Sequence, residues 1–310
     1  MAELRAGVAG VGALGRHHAR VWAATEGARL AGVYDTDAAR AAAVAAEFGC
    51  RACPTLAALA QEARALSVAV PTLFHHAVAA EALRGGCDVL LEKPMTATLA
   101  EADDLLALAK ERGAVLQVGH IERFNPATGP LLEAGRGARF VEVHRLGSFS
   151  PRSLDVDVVL DLMVHDLDIV LALDGSEPVG IEAVGVPVLT PRVDIANARL
   201  RFASGLIANL TASRVSIEKV RKFRVFAPRT YVSADFAARE AQVYRLAGEP
   251  GGAPRIESSR HGAPGEEPLR LQIEAFRNAV RDRTPPIVTG QDGRRALALA
   301  LTILERIGGH

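Results

Sequence analysis

The sequence predicts an α/β protein: an N-terminal doubly wound parallel sheet, followed by a C-terminal α+β domain with a mostly antiparallel, open sheet. Three observations predict this fold. The chain has 310 residues, more than one hydrophobic core usually serves. Short apolar runs alternate with helical patterns over residues 1–121, which is typical of parallel sheets covered by helices. Over residues 122–310, strand-like segments mostly follow one another directly, which favours antiparallel pairing.

Five strands and four helices account for the first domain. Apolar runs predict strands at residues 4–11, 30–35, 67–72, 88–94 and 115–120. Helical periodicity predicts helices at residues 14–25, 36–49, 74–84 and 99–113. Because each strand is followed by a helix, we expect the strands to pair in parallel with helices on both faces of the sheet.

In the second domain, predicted strands mostly follow one another without a helix between them. A helical segment at 126–135 leads to an alternating strand at 140–147 and a nearly all-apolar helix at 158–173. Six further strands are predicted at residues 180–189, 196–205, 207–216, 222–229, 229–237 and 241–246. Residues 248–268 are rich in Gly and Pro and predict a loop, and the chain closes with helices at 269–283 and 291–307. The closing helix is a candidate to pack back on the first domain.

Composition and charge exclude several classes of protein. Hydrophobic residues make up 49% and charged residues 23%, as in packed globular proteins. The formal net charge is zero, so we expect neither nucleic acid nor an anionic membrane as a partner. No apolar run reaches the ~20 residues of a membrane span. The N-terminal residues resemble a strand and not a signal peptide, so we expect a cytoplasmic protein.

A glycine-rich turn predicts a dinucleotide site. Residues 10–15 read Gly-Val-Gly-Ala-Leu-Gly, directly after the first strand and at the start of the first helix. The first Gly permits the tight turn, the second lets a pyrophosphate approach the backbone, and the third lets helix pack on strand. Asp35 ends the second strand, where an acid bonds ribose hydroxyls and repels a 2′-phosphate. We therefore expect a Rossmann domain that binds NAD, although nearby Arg40 leaves NADP open. The expected cofactor contacts here are Gly10, Gly12, Ala13, Leu14, Gly15, Asp35 and Arg40.

The ends of the third and fourth predicted strands carry further polar residues. Pro71-Thr72 ends one strand and Glu92-Lys93-Pro94 ends the other. Ligands of open parallel sheets lie outside the carboxyl ends of the strands, so Lys93 should reach the nicotinamide end of the site. Pro94 restrains the backbone beside it. The alternative is an ordinary strand exit marked by charge and proline.

A polar stripe marks the apolar helix at 158–173. Asp161, His165 and Asp168 stand at i, i+4 and i+7 and share one face, whereas Asp166 lies off it. Unpaired polar groups on a buried helix cost a few kcal/mol, so the stripe should face a partner or a cleft. The alternative is an Asp–His pair within the helix that has no chemistry.

Together these motifs resemble one family. The glycine turn, Pro71-Thr72-x-x-His75, Glu92-Lys93-Pro94 and Asp161-x-x-x-His165 are similar to the glucose–fructose oxidoreductase, inositol dehydrogenase and rhizopine-catabolism (Gfo/Idh/MocA) family, from Gly10 to residues 289–293. The resemblance implies NAD(P)-dependent oxidation or reduction of a sugar or polyol carbon. It also implies that Lys93 is catalytic, that Asp161 and His165 line the substrate site, and that His75 and Glu92 lie by the cofactor. Pro71, Thr72 and Lys93 are expected on the cofactor side because they end their strands. Met163 stands where the family often has Gly.

The implied reaction is hydride transfer between a sugar carbon and nicotinamide. His165 is the first candidate for the base, since imidazole exchanges protons near neutral pH, and Lys93 is the alternative. Lys93 would also stabilise the alkoxide, and Asp161 would orient His165. Arg123 and Arg152 are candidates to bind a phosphate or carboxylate of the substrate, or else to form surface ion pairs.

Residues 155–170 resemble family members that act on UDP-N-acetylglucosamine at its 3-hydroxyl, which favours a UDP-N-acetylhexosamine 3-dehydrogenase. The alternatives are an inositol or free-sugar dehydrogenase, or a non-catalytic NAD-binding sensor.

The remaining candidates carry weaker signals. Cys50 and Cys53 have redox-motif spacing, but the third cysteine, Cys87, supplies no second pair, so we expect reduced thiols and no metal site. His17 and His18 lie inside the first predicted helix and are assigned no chemistry. A sheet face left open by the helices would suit a homodimer or homotetramer.

Overall fold

The structure is a computed structural model that describes residues 3–149, 156–248 and 254–308. Its contacts divide the chain into two compact units. The first comprises Met1–Ile121 and Glu267–Arg294, and the second comprises Glu122–Glu266 and Arg295–His310. None of the helices described in these ranges is long and apolar enough to cross a membrane.

The first unit contains a six-stranded parallel sheet. Its strands are β1 (Leu4–Ala9), β2 (Ala28–Tyr34), β3 (Arg51–Ala52), β4 (Ala65–Val68), β5 (Asp88–Glu92) and β6 (Leu116–Gly119). They lie in the order β3-β2-β1-β4-β5-β6, so the strand order reverses between β1 and β4. The helices between them are α1 (Ala13–Ala24), α2 (Ala38–Phe48), α3 (Leu56–Glu62), α4 (His75–Arg84) and α5 (Leu99–Arg112). This is the Rossmann order, in which ligands bind at the reversal point.

The second unit contains an eight-stranded sheet. Its strands are β7 (Phe140–Leu146), β8 (Pro178–Val186), β9 (Ile195–Phe202), β10 (Ile207–Ser213), β11 (Val220–Ala227), β12 (Thr230–Asp235), β13 (Glu240–Ala247) and β14 (Arg255–Gly262). The order is β14-β13-β12-β11-β7-β10-β9-β8, and among these strands only β7 and β10 pair in parallel. The predicted mostly antiparallel sheet is confirmed.

One face of this second sheet is covered by helices of the same unit. Helix α6 (Thr128–Ala134) precedes β7, and a π-turn (Val159–Met163) leads into α7 (Val164–Asp174). Alternate residues of β9 are buried, and they join Val141, Val143 and the apolar residues of α7 in one core. The alternation read from the sequence therefore corresponds to one packed and one open face.

The chain ends with two helices, α8 (Pro268–Asp282) and α9 (Gly290–Gly308). Helix α8 packs on the first unit, where Phe276 meets the single tryptophan, Trp22 of α1, edge to face with ring centroids 6.3 Å apart. The indole N–H of Trp22 donates to the Ser67 hydroxyl at 2.9 Å. Residues of α9 up to Arg294 fall in the first unit and the rest in the second.

Three local expectations were wrong. Residues 248–268 do not form only a loop, because they contain the strand β14 (Arg255–Gly262). This strand is exposed along its whole length and is held by backbone pairing to β13, so its side chains show no alternation. Strand β3 and helix α3 were not predicted, and the third predicted strand at 67–72 ends earlier, as β4 at Val68. Two residues of β3 are too few to give a periodic signal.

Asp194 fixes the connection between β8 and β9. Its fully buried carboxylate accepts hydrogen bonds from the backbone N–H of Val188, Leu189 and Thr190 at 2.6–2.8 Å and from Arg214 Nε at 2.8 Å. Burial alone would raise the pKa of Asp194, but these donors and the Thr190 hydroxyl outweigh it and hold the pKa well below its usual range. The ionised carboxylate therefore stabilises the fold.

We expect Asp194→Asn to lower the free energy of unfolding at pH 7 by about 1–3 kcal/mol, because an amide leaves some of these buried donors without an acceptor. Since the folded pKa lies below the unfolded one, the carboxylate's contribution is present above about pH 4 and is lost as pH falls further. Urea denaturation at pH 7 and pH 3 checks this. A gap between the two proteins that is equally wide at both pH values would contradict it.

Candidate active site

A cavity of about 610 Å³ lies at the carboxyl ends of β1 and β2 in the first unit. The predicted contacts Gly10, Gly12, Ala13, Leu14, Asp35, Arg40 and Pro71 line it. Gly10 has φ +81°, and a Cβ at Gly15 would overlap the carbonyl oxygen of Gly10. A Cβ at Gly12, in contrast, would meet nothing within 4 Å. The backbone at Gly12 therefore borders open space at the N-terminus of α1, which fits a pyrophosphate.

Asp35 stabilises the glycine turn as well as facing the cavity. Its Oδ2 accepts the backbone N–H of Val11 at 2.8 Å, and its Oδ1 accepts the N–H of Asp37 at 2.9 Å. The half-exposed guanidinium of Arg40 lies 3.3 Å from Asp35 and 3.2 Å from Asp37. Asp35 is thus fixed in place, and Arg40 carries the nearest positive charge.

The Glu92-Lys93-Pro94 motif follows β5. The Glu92 carboxylate is buried, with Oε1 3.1 Å from Nε2 of His18 and Oε2 accepting the Lys93 N–H at 3.3 Å. Burial alone would raise the pKa of Glu92, but the hydrogen bond from His18 and the charges of His18 and Lys93 lower it overall. Glu92 is therefore an ionised carboxylate beside a half-buried Lys93.

His75 holds the other side of this motif. Its Nδ1 lies 2.8 Å from the Pro94 carbonyl oxygen, and its Nε2 lies 3.0 Å from the Val70 carbonyl oxygen. Burial lowers the pKa of His75, against the effect of these carbonyl groups. His75 thus connects the segment after β4 to the turn after β5. Thr72 begins a short 3₁₀ turn, Thr72–Phe74, and is half-exposed.

In the second unit, the predicted regular helix at 158–173 begins as a π-turn. Asp161 lies within this turn and is half-buried, whereas His165 is the second residue of α7 and is buried. Met163, at the position where the family often has Gly, is fully buried in the core. π-turns inside helices occur frequently at functional sites.

The acidic residues that flank His165 are ion-paired. Asp166 accepts two hydrogen bonds of 2.8 Å from Arg145, which also donates to Glu122 at 2.9 Å. Burial raises the pKa of Asp166, and the Arg145 charge opposes that rise. Asp168 lies 3.4 Å from Arg123. These pairs fix the orientation of α7.

A second cavity, of about 270 Å³, borders Asp161 within the second unit. Arg214, Lys219 and Arg221 also line it. A substrate role for Arg123 stays a prediction, since the structure places its guanidinium against Asp168. Arg152 lies outside the described residues.

Three residues near these sites were missed by the sequence analysis: His18, Arg145 and Lys219. His18 and Arg145 have partners that are distant in sequence, and Lys219 lines the cavity beside Asp161 from a distant part of the chain, so no local spacing could have indicated them. Within the residues that the structure describes, no group of three or more His, Cys, Asp or Glu side chains could hold a metal ion.

A Rossmann sheet whose glycine turn borders an open cavity defines a dinucleotide-binding protein. The model of the "Oxidoreductase family, NAD-binding Rossmann fold" matches residues 4–120, and the GFO/IDH/MocA C-terminal domain model matches residues 139–232. The chain belongs to the GFO/IDH/MocA family of NAD-binding oxidoreductases. The predicted fold class, family, enzyme class and NAD cofactor are confirmed.

Individual relatives agree with this assignment. The chain is 46% identical over 305 residues to a UDP-N-acetylglucosamine 3-dehydrogenase of Acidithiobacillus ferrooxidans, covering 98% of this chain and 97% of that protein. A solved structure of UDP-N-acetylglucosamine 3-dehydrogenase GnnA from that organism superposes with a TM-score of 0.92 at 43% identity, covering 100% of this chain and 99% of the other. An inositol 2-dehydrogenase of Leifsonia xyli is 31% identical over 90% of this chain and 86% of its own length.

We expect NADH to bind at least about tenfold more tightly than NADPH, a difference of ~1.4 kcal/mol, because the Asp35 carboxylate repels a 2′-phosphate. Asp35→Ser should narrow the gap, since it removes that charge and frees the Arg40 guanidinium to bind the phosphate. Asp37→Ser is the control: it also removes an Arg40 partner but keeps Asp35, so the preference should persist. Fluorescence titrations measure both affinities, and equal values in the unmodified protein would contradict the assignment.

Proposed function

We propose that the protein is a UDP-N-acetylhexosamine 3-dehydrogenase that oxidises or reduces C3 of UDP-N-acetylglucosamine with NAD. The observation that carries this proposal is the 46% identity over 98% of the chain to a UDP-N-acetylglucosamine 3-dehydrogenase. The inositol 2-dehydrogenases are more distant, at 31% over 90% of the chain in the case of Leifsonia xyli. A free polyol is therefore the second candidate substrate.

The two units would have separate functions. The first, Met1–Ile121 with Glu267–Arg294, would be the dinucleotide-binding domain, predicted as residues 1–121. The second, Glu122–Glu266 with Arg295–His310, would be the substrate-binding and oligomerisation domain, predicted as residues 122–310. The first unit supports its role with the cavity beside Gly12 and Asp35. The second supports its role with the cavity beside Asp161 and with His165 on α7.

In the proposed mechanism, bound NAD supplies the hydride acceptor for oxidation. His165 removes the proton from the substrate hydroxyl as the C–H bond breaks, and Asp161 orients His165. Lys93 donates a hydrogen bond to the same oxygen and stabilises the negative charge that develops there. In the reducing direction His165 returns the proton. Arg123 and Arg152 remain proposed contacts to the phosphates, which guanidinium groups bind well.

A turnover panel tests this function. Reduction of NAD would be followed with UDP-N-acetylglucosamine, myo-inositol and free N-acetylglucosamine as separate substrates, with NMR of the product locating the new carbonyl. We expect turnover with the nucleotide sugar and a carbonyl at C3. Turnover of inositol alone would favour the second candidate, and NADH binding without turnover of any substrate would favour a sensor.

We also propose a homodimer or homotetramer that associates through the open face of the second sheet. Phe140, Phe226, Tyr231 and Tyr244 form a row of rings across four neighbouring strands on this face, with centroids 4.9–5.7 Å apart. Such a row offers apolar area for packing against a second copy. Light scattering after gel filtration measures the mass, and a monomer would contradict the proposal.

A cytoplasmic location is supported by the three unpaired cysteines.

A further inference from the structure

Two neighbouring histidines on α1 have opposite environments. His18 is fully buried, whereas His17 is exposed. An imidazole without hydrogen bonds is costly to bury, so the partner of His18 explains why a polar side chain occupies this position. That partner is Glu92, because His18 Nε2 lies 3.1 Å from Glu92 Oε1. Its Nδ1 is buried and has no hydrogen-bond partner among the residues described, so the contact with Glu92 is the one hydrogen bond that those residues give this ring.

The glycine at position 119 leaves space for the Glu92 carboxylate. Gly119 on β6 pairs in register with Glu92 on β5. A Cβ at Gly119 would lie 2.7 Å from Glu92 Oε1, closer than real Cβ atoms approach, and 3.0 Å from Oε2, so the carboxylate would have to shift. The absence of a side chain at this position therefore lets the carboxylate lie flat against the neighbouring strand. His18 holds one oxygen there, and the other accepts the N–H of Lys93.

The charges around this carboxylate favour its ionised form. His18 faces it from α1, and Lys93 follows it in the chain. His75 of α4 lies close enough for the Glu92 charge to raise the pKa of His75, against the effect of burial. Burial would raise the pKa of Glu92, but the His18 hydrogen bond is the strongest opposing influence, and the pKa is lowered overall. Loss of His18 would remove the strongest of the influences that oppose burial and would therefore raise the pKa of Glu92.

We propose that His18 is a positioning residue for the reaction: it holds the Glu92 carboxylate against the neighbouring strand. The carboxylate in turn fixes the backbone of Lys93 and places a negative charge beside its side chain. The inference rests on the proposed catalytic role of Lys93. His18 itself touches neither substrate nor cofactor in this proposal. It acts through Glu92, and its effect should be on the reaction step and not on the binding of NADH.

Three variants at two positions test the proposal. We expect His18→Leu to lower kcat about 10²-fold, as a small misplacement of a catalytic group does, with the NADH dissociation constant unchanged. His18→Gln keeps an N–H donor near the position of Nε2 and should recover most of the loss. His17→Leu is the matched control, the same change one residue away on the exposed side, and should behave as the unmodified protein.

The pH profile separates positioning from mere packing. In His18→Leu the acid limb of kcat should move to higher pH, because Glu92 then takes up a proton more readily. Gly119→Ala keeps every charge but places a methyl group where the Glu92 carboxylate lies, so it should also lower kcat. It therefore tests the proposal even if His18→Leu fails to fold. The double variant His18→Leu/Glu92→Gln should lose no more than the larger single loss, as expected for groups that act as a unit.

A measurement on the protein without cofactor or substrate completes the test. In ¹⁵N-histidine-labelled protein, the ring resonances of His18 should report a proton on Nε2 and should shift in Glu92→Gln but not in His17→Leu. Unchanged resonances in Glu92→Gln, or a His18→Leu variant with normal kcat and pH profile, would overturn the inference. If Lys93→Met kept full activity, the proposed role of Lys93 would fail instead, whatever the His18 resonances show.

Discussion

Replacement of His165 by Asn is expected to lower turnover by about 10²–10⁴-fold, the usual loss when a general base is removed. Asn keeps a polar side chain of similar reach but cannot accept a proton near neutral pH. NADH affinity should change little, since the cofactor cavity described in the first unit contains no part of α7. Steady-state kinetics with UDP-N-acetylglucosamine and a fluorescence titration with NADH measure the two quantities.

His165 stays the proposed base, and two of its acidic neighbours on α7 are engaged elsewhere. Asp166 is held by two hydrogen bonds from Arg145, and Asp168 lies against Arg123, so both carboxylates are committed to ion pairs. His165 stands directly after the π-turn that contains Asp161. The π-turn replaces the regular helix on which the i, i+4 spacing was predicted.

A matched control for this experiment is available in the same unit. His144 lies on β7 between the buried residues Val143 and Arg145, and therefore points to the opposite face of the sheet. His144→Asn should leave turnover unchanged. Normal turnover in His165→Asn, or an equal loss in both variants, would leave His165 with a packing role only.

Lys93→Met is expected to fold, to bind NADH and to lose about 10²–10³-fold in turnover, comparable to removal of one oxyanion donor. Methionine has a similar length and fills the same space, but it removes the positive charge that stabilises the alkoxide. Lys93→Arg should be nearly as impaired, because the guanidinium is bulkier and does not release a proton near neutral pH. Kinetics of both variants, with thermal unfolding to show that they fold, measure this.

Hydrogen bonds on both sides of Lys93 fix the backbone at this position. Glu92 accepts its backbone N–H, and the carbonyl group of the following Pro94 lies 2.8 Å from His75. Lys110→Met on the exposed side of α5 is the control, and it should cost no more than about half a kcal/mol of stability and no activity. If Lys93→Met turned over substrate at the normal rate, Lys93 would be an ordinary residue at a strand exit.

Several features of this protein could be read from the sequence because they depend on local patterns. The strand–helix alternation, the glycine turn at Gly10–Gly15 and the acid at Asp35 each follow from residue type and spacing. Features without a local pattern were missed. Strand β14 is exposed on both faces, and the π-turn at Val159–Met163 has the same apolar composition as a regular helix.

The sequence by itself determined which residues are polar within apolar segments, among them His18, Asp166 and Asp168, but it assigned no role to His18 or Asp166. Only the tertiary structure decided what each of them meets. His18 meets Glu92, 74 positions away, and Asp166 meets Arg145 from β7. The physical reason is that periodicity along a helix or strand fixes the face on which a side chain lies. The partner across that face is chosen by how the strands are ordered and how the helices pack on them.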